Sequence, residues 1–273
     1  EFELPNLMSE FIKLDFLDLA IAAGLMVIAI GLSIWQKIGL ELNLATATVR
    51  TILQLVVLGY ILDFILALNN LWAVLAILAV MLTLAAIIAK NRISQKIPGV
   101  LLLVWGSMLV STAFTLIYTS FLIIQPDRWF QPQYVIPLAG FVLGNAMNAA
   151  AIAGERLVST INASHAEIET HLSLGATPQQ AIKQYKKDSI RAGLMPTINQ
   201  MMIIGMVTIP DFMSGLIISG VDYDKTPFQP ASEAASYQIL LMFMVALSNL
   251  LTTILLTTSL SRQFFNKQAQ LIR

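Results

Sequence analysis

Seven apolar runs, at about 16–34, 45–67, 71–89, 99–124, 134–154, 196–219 and 236–260, decide what this chain can fold into. Each is long enough to cross about 30 Å of hydrocarbon at about 1.5 Å of helical rise per residue. A composition of 57% hydrophobic and 12% charged residues, with mean hydropathy +0.75, leaves too little charged surface for a soluble domain of 273 residues. The expectation is an all-α integral membrane protein with seven transmembrane helices. It forms one transmembrane domain over 1–273, because no connection exceeds about forty residues and none holds a soluble domain. The first run is flanked by acids rather than a basic segment, so no cleavable signal peptide is expected. The opening Glu1-Phe2, without an initiator methionine, suggests a trimmed start.

Charge sets the orientation. Sixteen basic residues balance sixteen acidic ones overall, but they are not evenly spread. With the N-terminus outside, inner segments hold Lys37, then Lys90, Arg92 and Lys96, then Arg156, Lys183, Lys186, Lys187 and Arg191, and finally Arg262, Lys267 and Arg273. Outer segments hold only Lys13, Arg128 and Lys225, among acids such as Asp127, Asp222 and Asp224. The positive-inside bias therefore predicts a cytoplasmic C-terminus, and it places residues 164–194 in the cytoplasm.

That interval is the longest polar stretch of the chain, and it carries two helix starts. Ser164 with Glu167 has the spacing of a capping box, as does Thr177 with Gln180, with Pro178 at the first helical position. Gly175 stands where a helix end wants a left-handed residue. The pattern predicts a short helix at about 165–174, a turn at Gly175-Ala176 and a longer helix at about 178–193. Ile168 and Leu172 form the apolar face of the first; Ala181, Ile182, Tyr185, Ser189 and Ile190 form that of the second. Such a hairpin is either a docking knob for another protein or an ordinary solvated loop. His165, Glu169 and His171 resemble a metal cluster, but a solvated helix explains them.

Polar residues within the spans are candidates for a transport pathway. Arg50 and Gln54 stand at i, i+4 in the second run, although Arg50, about 9 Å from the inner end, could snorkel to the interface. The fifth run holds Gly140 and Gly144, then Asn145, Asn148 and Ala149-Ala150-Ala151, a face expected to pack on protein. Glu155 and Arg156 at its end are expected to pair. In the sixth run Pro210 should kink or break the helix, with Asp211 near a new helix start and Met202, Met206 and Met213 on one approximate face. Broken spans are where transporters place substrates. The methionines fit either soft metal ligands or core filling. The metal, if there is one, is not specified.

Several classes are excluded. There is no cysteine, hence no disulfide, thiolate site or cysteine nucleophile. There is no G-x-x-x-x-G-K-[ST] loop to bind a nucleotide and no paired nucleophile and base, so no cofactor and no catalytic residue is expected in this chain. No nucleic-acid partner is expected.

The stretch Glu169-Thr170-His171-Leu172-Ser173-Leu174-Gly175-Ala176-Thr177 resembles the E-A-A-type coupling loop of ABC transporter permeases. With Arg50-Thr51-Ile52-Leu53-Gln54-Leu55, Gly144-Asn145-Ala146-Met147-Asn148-Ala149 and Met195-Pro196-Thr197, nearly the whole chain resembles the iron-export ABC permeases of the Fet type. Plant relatives of that family act in aluminium tolerance and have been linked to a nucleotide-sugar. The resemblance implies a permease subunit, in a bacterial inner membrane, exporting a metal ion (iron-like) or a small solute. It implies a homodimer and a separate ATPase subunit that binds ATP and docks on the hairpin through Glu169, Leu174, Gly175, Ala176 and Thr177. The chain departs from the family pattern P-G-M-M-T-G-Q at Asp211 and Leu216, while Pro210, Met213 and Gly215 match. The rival is a self-sufficient secondary transporter or channel driven by ion gradients, which would need charged relays deep in the spans.

Overall fold

The computed structural model describes residues 16–68, 70–93, 97, 99–125, 130–210, 229–266, 268 and 270–272. Its packing divides the chain into two compact units, residues 1–68 with 215–227 and residues 69–214 with 228–273. The described residues are helical apart from two isolated bridges. Six helices among them are long and apolar enough to cross a membrane.

The first unit is a helical hairpin of α1 (Phe16–Trp35) and α2 (Glu41–Leu68). Lys37, at φ 53°, closes α1: its N–H donates to the Ile34 carbonyl at 3.1 Å and the Ile38 N–H to the Ser33 carbonyl at 3.0 Å. The Ser33 hydroxyl, buried at the bend, donates to Glu41 and accepts from the Leu40 N–H, both at 3.3 Å. One serine thus satisfies a backbone donor at the start of α2 that would otherwise have no partner.

The second unit holds α3 (Leu71–Ile93), α4 (Val100–Thr119) running into a π-helical turn at Ser120–Ile124, α5 (Pro132–Ala163), α6 (His165–Ser173), α7 (Pro178–Ala181), α8 (Lys183–Ile203) and α9 (Gln229–Arg262). α5 packs on α3, α4, α8 and α9, so it is the axis of the unit. Small residues make this possible, since they let helix backbones approach closely. Ala146, Ala149, Ala150, Ala151, Ala153 and Gly154 are all buried along α5, as expected for that face. Gly140 and Gly144 behave differently from each other: a Cβ at Gly140 would meet Met81 at 3.0 Å, whereas one at Gly144 would meet nothing within 4 Å.

Close contacts fix the helix directions. Gly140 lies against Met81 and Gly154 against Ile93, so α3 and α5 run parallel. Trp105 donates to Thr83 at 3.3 Å, and the short connection to α4 makes α3 and α4 antiparallel. The hydroxyls of Ser111 and Thr252 share a hydrogen bond at 2.5 Å, with Gly99 beside Gln263, so α4 and α9 are antiparallel. Asn249 donates to Thr197 at 2.7 Å and Thr253 lies against Gly193, so α8 opposes α9 as well. Thus α3, α5 and α9 end where α4 and α8 begin. Lys90, Arg92, Arg156, Lys183, Lys186, Lys187, Arg191 and Arg262 gather at that one end.

Three expectations are corrected. The second hairpin helix and the sixth apolar run are not separate, since α8 passes through Met195-Pro196 unbroken. Proline forfeits one hydrogen bond there, but its ring sits on an exposed face and the helix carries on. The helix ends at Ile203 rather than near Pro210, because Gly205 at φ 81° turns the chain and its N–H donates to the Thr208 carbonyl at 2.9 Å. Residues 211–228, which include the rest of the sixth apolar run, lie outside the described residues. Glu155 and Arg156 form no ion pair, since adjacent residues on a helix point apart.

The tightest approach to backbone is at Gly193, where a Cβ would stand 2.8 Å from the Ala149 carbonyl oxygen and 2.9 Å from the Ala153 Cβ. Backbone cannot yield there, so Gly193→Ala should destabilise by about 1–3 kcal/mol through overpacking. Gly144→Ala, with open space around it, should be neutral or gain up to about 1 kcal/mol from helix propensity. Thermal melting of the two purified variants checks this; equal melting of Gly193→Ala and the parent would contradict the close packing.

Candidate functional site

Two features of the second unit are built to do something: the hairpin at its basic end and a cavity at the opposite end. Ser164 ends α5 and starts α6 with no irregular residue between them, which forces a sharp elbow. The expected Ser164–Glu167 capping box does not form, and both side chains lie near the Tyr185 hydroxyl on α8. Burial first, and the neighbouring Glu167 carboxylate second, hold the Tyr185 phenol above its ordinary pKa. It therefore stays a neutral donor that ties α6 to α8.

Ile168, Ile182 and Ser189 are buried and Leu172, Ala181 and Tyr185 pack on the same core, which are the faces the spacing predicted. At the turn the Ala176 N–H donates to the His171 carbonyl and the Gly175 N–H to Leu172, both at 3.0 Å, with Gly175 at φ 89°. The second capping box does form: the Thr177 N–H donates to the Gln180 side chain at 2.9 Å and the Gln180 N–H to the Thr177 hydroxyl at 3.4 Å. The tip formed by Leu174, Gly175, Ala176 and Thr177 is consequently rigid, and it presents Leu174 80% exposed. An apolar side chain held out on an ordered turn is a contact surface without a contact. Glu169 is exposed beside it, with its carboxylate 3.6 Å from the His165 Nδ1.

The basic face is also arranged. Lys183, Lys187 and Arg191 are exposed, whereas Lys186 is partly buried and its pKa is lowered by that burial and then by repulsion from Arg262. Among the described residues no three acidic or histidine side chains are placed to hold a metal ion.

The expected pathway residues are distributed over both units, and each is described within its own unit. Arg50 and Gln54 lie on α2 in the first unit, where Thr46 bonds back to the Leu42 carbonyl at 2.8 Å and not to Arg50. Asn145 is spent on its own helix, donating to the Phe141 carbonyl at 2.8 Å, and Asn148 accepts from Arg92 at 3.3 Å. Met206, on the turn after α8, is 81% exposed. Asp211 and Met213 lie outside the described residues.

Instead, a cavity of about 800 Å³ opens at the end of the unit away from the hairpin. Ile124 from the π-helical turn, Tyr134 and Phe141 from α5, Gln200 and Ile203 from α8, and Tyr237 and Gln238 from α9 line it. The turn after α8, at Thr208 to Pro210, completes the wall. Gln200 and Gln238 were legible only as isolated amides in apolar runs, a signal too common to single them out. One helix joins the two features: α8 leaves the hairpin at Lys183 and reaches the cavity at Gln200 and Ile203. That path is about 30 Å of continuous helix.

The model of UPF0014, described as an uncharacterised protein family, matches residues 16–265. A UPF0014 membrane protein of Synechocystis sp. is 47% identical over 96% of this chain and 98% of its own length. The protein named "Probable iron export permease protein FetB", from Escherichia coli, is 34% identical over 93% of this chain and 94% of its own. Protein ALUMINUM SENSITIVE 3 of Arabidopsis thaliana is 32% identical over 92% and 88%, respectively. No solved structure matches. These matches span both units and include all three motifs on which the resemblance rested, and the chain accordingly belongs to the UPF0014 family of integral membrane proteins, alongside a relative named as an iron export permease.

Proposed function

We propose that this chain is the membrane-spanning permease subunit of an ABC transporter, exporting a metal ion or a small solute from a bacterial cell across the inner membrane. It crosses the bilayer seven times, with the N-terminus outside and the C-terminus in the cytoplasm. Two copies pair, and each receives a separate ATPase subunit on the tip of hairpin 164–194. ATP is bound and hydrolysed by that partner. The observation that carries this reading is the continuity of α8 between the hairpin and the cavity wall. A helix packed along its length moves as a body, so displacing one end displaces the other. The exposed Leu174, the capping box at Thr177 and the left-handed Gly175 supply the rigid tip that such a push requires. Work is transmitted only where the partner binds two states of the permease with different affinity.

Gly175→Val tests the tip. A β-branched residue resists positive φ at a cost of about 1–2 kcal/mol or more, and no neighbour obstructs the new side chain, so only backbone strain is introduced. Permease-stimulated ATP hydrolysis should fall at least about tenfold while the transmembrane helices melt as before. Unchanged stimulation would remove the hairpin from the coupling, and transport by the chain alone in ATP-free vesicles would favour an ion-driven carrier. Orientation is tested separately on the naturally cysteine-free chain. A Ser173→Cys variant should react with an impermeant maleimide from the cytoplasmic side only; reaction from outside the cell would invert the topology.

A further inference from the structure

The cavity has a chemistry that does not suit a bare ion. Among the described residues no carboxylate, imidazole, thioether or cationic side chain lines it; they give it an aliphatic and aromatic wall with amides and hydroxyls. Hard cations want several oxygen ligands that include carboxylates, and softer ones want nitrogen or sulfur. Its volume of about 800 Å³ lies within the range of small-molecule sites, which are mostly apolar with a few placed polar groups.

The polar group that stands out is Gln238. It is only 7% exposed, it faces the cavity, and no hydrogen bond satisfies its side chain. Its amide atoms are not sealed off from the cavity, so a molecule that enters can reach them. Gln200 on α8 faces the same space, also without a side-chain hydrogen bond. Each carboxamide offers donors and an acceptor, so a partner satisfying them both donates and accepts. The turn behind them is held by the Gly205 N–H donating to the Thr208 carbonyl at 2.9 Å, and Thr208 and Ile209 line the same space.

We infer that the cavity between α4, α5, α8 and α9 binds an uncharged amphiphile: an apolar body against Phe141, Ile203 and Leu241, with a hydroxyl- or amide-bearing end read by Gln238 and Gln200. A metal ion enters this site only within an organic complex. The binding stands apart from the permease reading, because it requires neither ATPase nor transport. As a cargo site it would deepen that reading and place the recognition at the far end of α8 from the hairpin.

The probe is a diazirine-bearing monoacylglycerol, photolysed with the purified chain and mapped by mass spectrometry. It is delivered once in phosphatidylcholine nanodiscs and once from the aqueous phase to amphipol-held protein. Adducts should fall on α5, α8 and α9 around the cavity in at least one delivery; which delivery labels better separates a membrane lipid from a soluble amphiphile. Gln238→Leu, which keeps the volume and removes the hydrogen bonds, should lower cavity labelling about tenfold. Thr208→Trp, placed on the exposed turn and directed into the space, should abolish it, and it decides the matter if Gln238→Leu does not fold. Labelling unaffected by either substitution in chains that melt normally, or displaced by ferrous ion alone, would overturn the inference. A failure here with hairpin-dependent ATP hydrolysis intact would leave the permease reading standing.

Discussion

The second unit depends on a contact made possible by a missing side chain: Gly193 of α8 against the Ala149 carbonyl and the Ala153 methyl of α5, with the Thr253 methyl of α9 closing the third side. Within a bilayer, lipid tails are as apolar as leucine, so burying hydrocarbon does little to choose one helix arrangement over another. Close backbone approach and buried hydrogen bonds do the choosing. One turn beyond Gly193, Thr197 accepts from Asn249 at 2.7 Å inside the same seam. Together these pin α8 near its middle while leaving its ends among different neighbours. The hairpin lies at one end and the cavity wall at the other.

The polar content of the core follows the same economy. Ser107, Ser111, Thr112 and Thr115 on α4 face Ser248, Thr252, Thr253 and Thr257 on α9, all buried. Four of these hydroxyls bond to carbonyls of their own helix: Ser111 to Met108, Thr115 to Ser111, Thr253 to Asn249 and Thr257 to Thr253. The Ser111–Thr252 bond crosses between the helices. A hydroxyl with an i−4 carbonyl available needs no second helix, so this seam sets register without demanding a charged partner. Among the described residues of this unit, the helix directions gather the basic residues at one end, around the hairpin.

How far all this could be read from residues alone varies with the kind of physics involved. Apolar length announced seven spans, against six helices long and apolar enough to cross a membrane among the described residues, and turn chemistry announced the hairpin, because Thr177, Pro178, Gln180 and Gly175 act within a few residues of themselves. Expectations failed where a distant partner competed. Glu167 lies near Tyr185 and forms no local cap, and Asn148 was taken by Arg92 from α3. Pro196 was carried within α8, and Gly205 ended that helix before Pro210 could. The cavity was the least legible feature. Gln200 and Gln238 matter because packing leaves their amides unpaired, a property of the fold and not of either residue.

The hairpin, the pinned helix and the cavity make one mechanical proposition: α8 carries displacement from the partner-facing tip to the binding space as a rigid body. Gly193 is its pivot, and the small residues of α5 are the surface on which it turns. Pulsed electron spin resonance tests this most directly, with pairs of labels on Lys187→Cys with Met202→Cys and on Met202→Cys with Tyr134→Cys in the complex with its ATPase. Binding of ATP should leave the first separation unchanged and alter the second. A second separation that stays fixed while the hairpin moves, or a first that changes, would contradict the account.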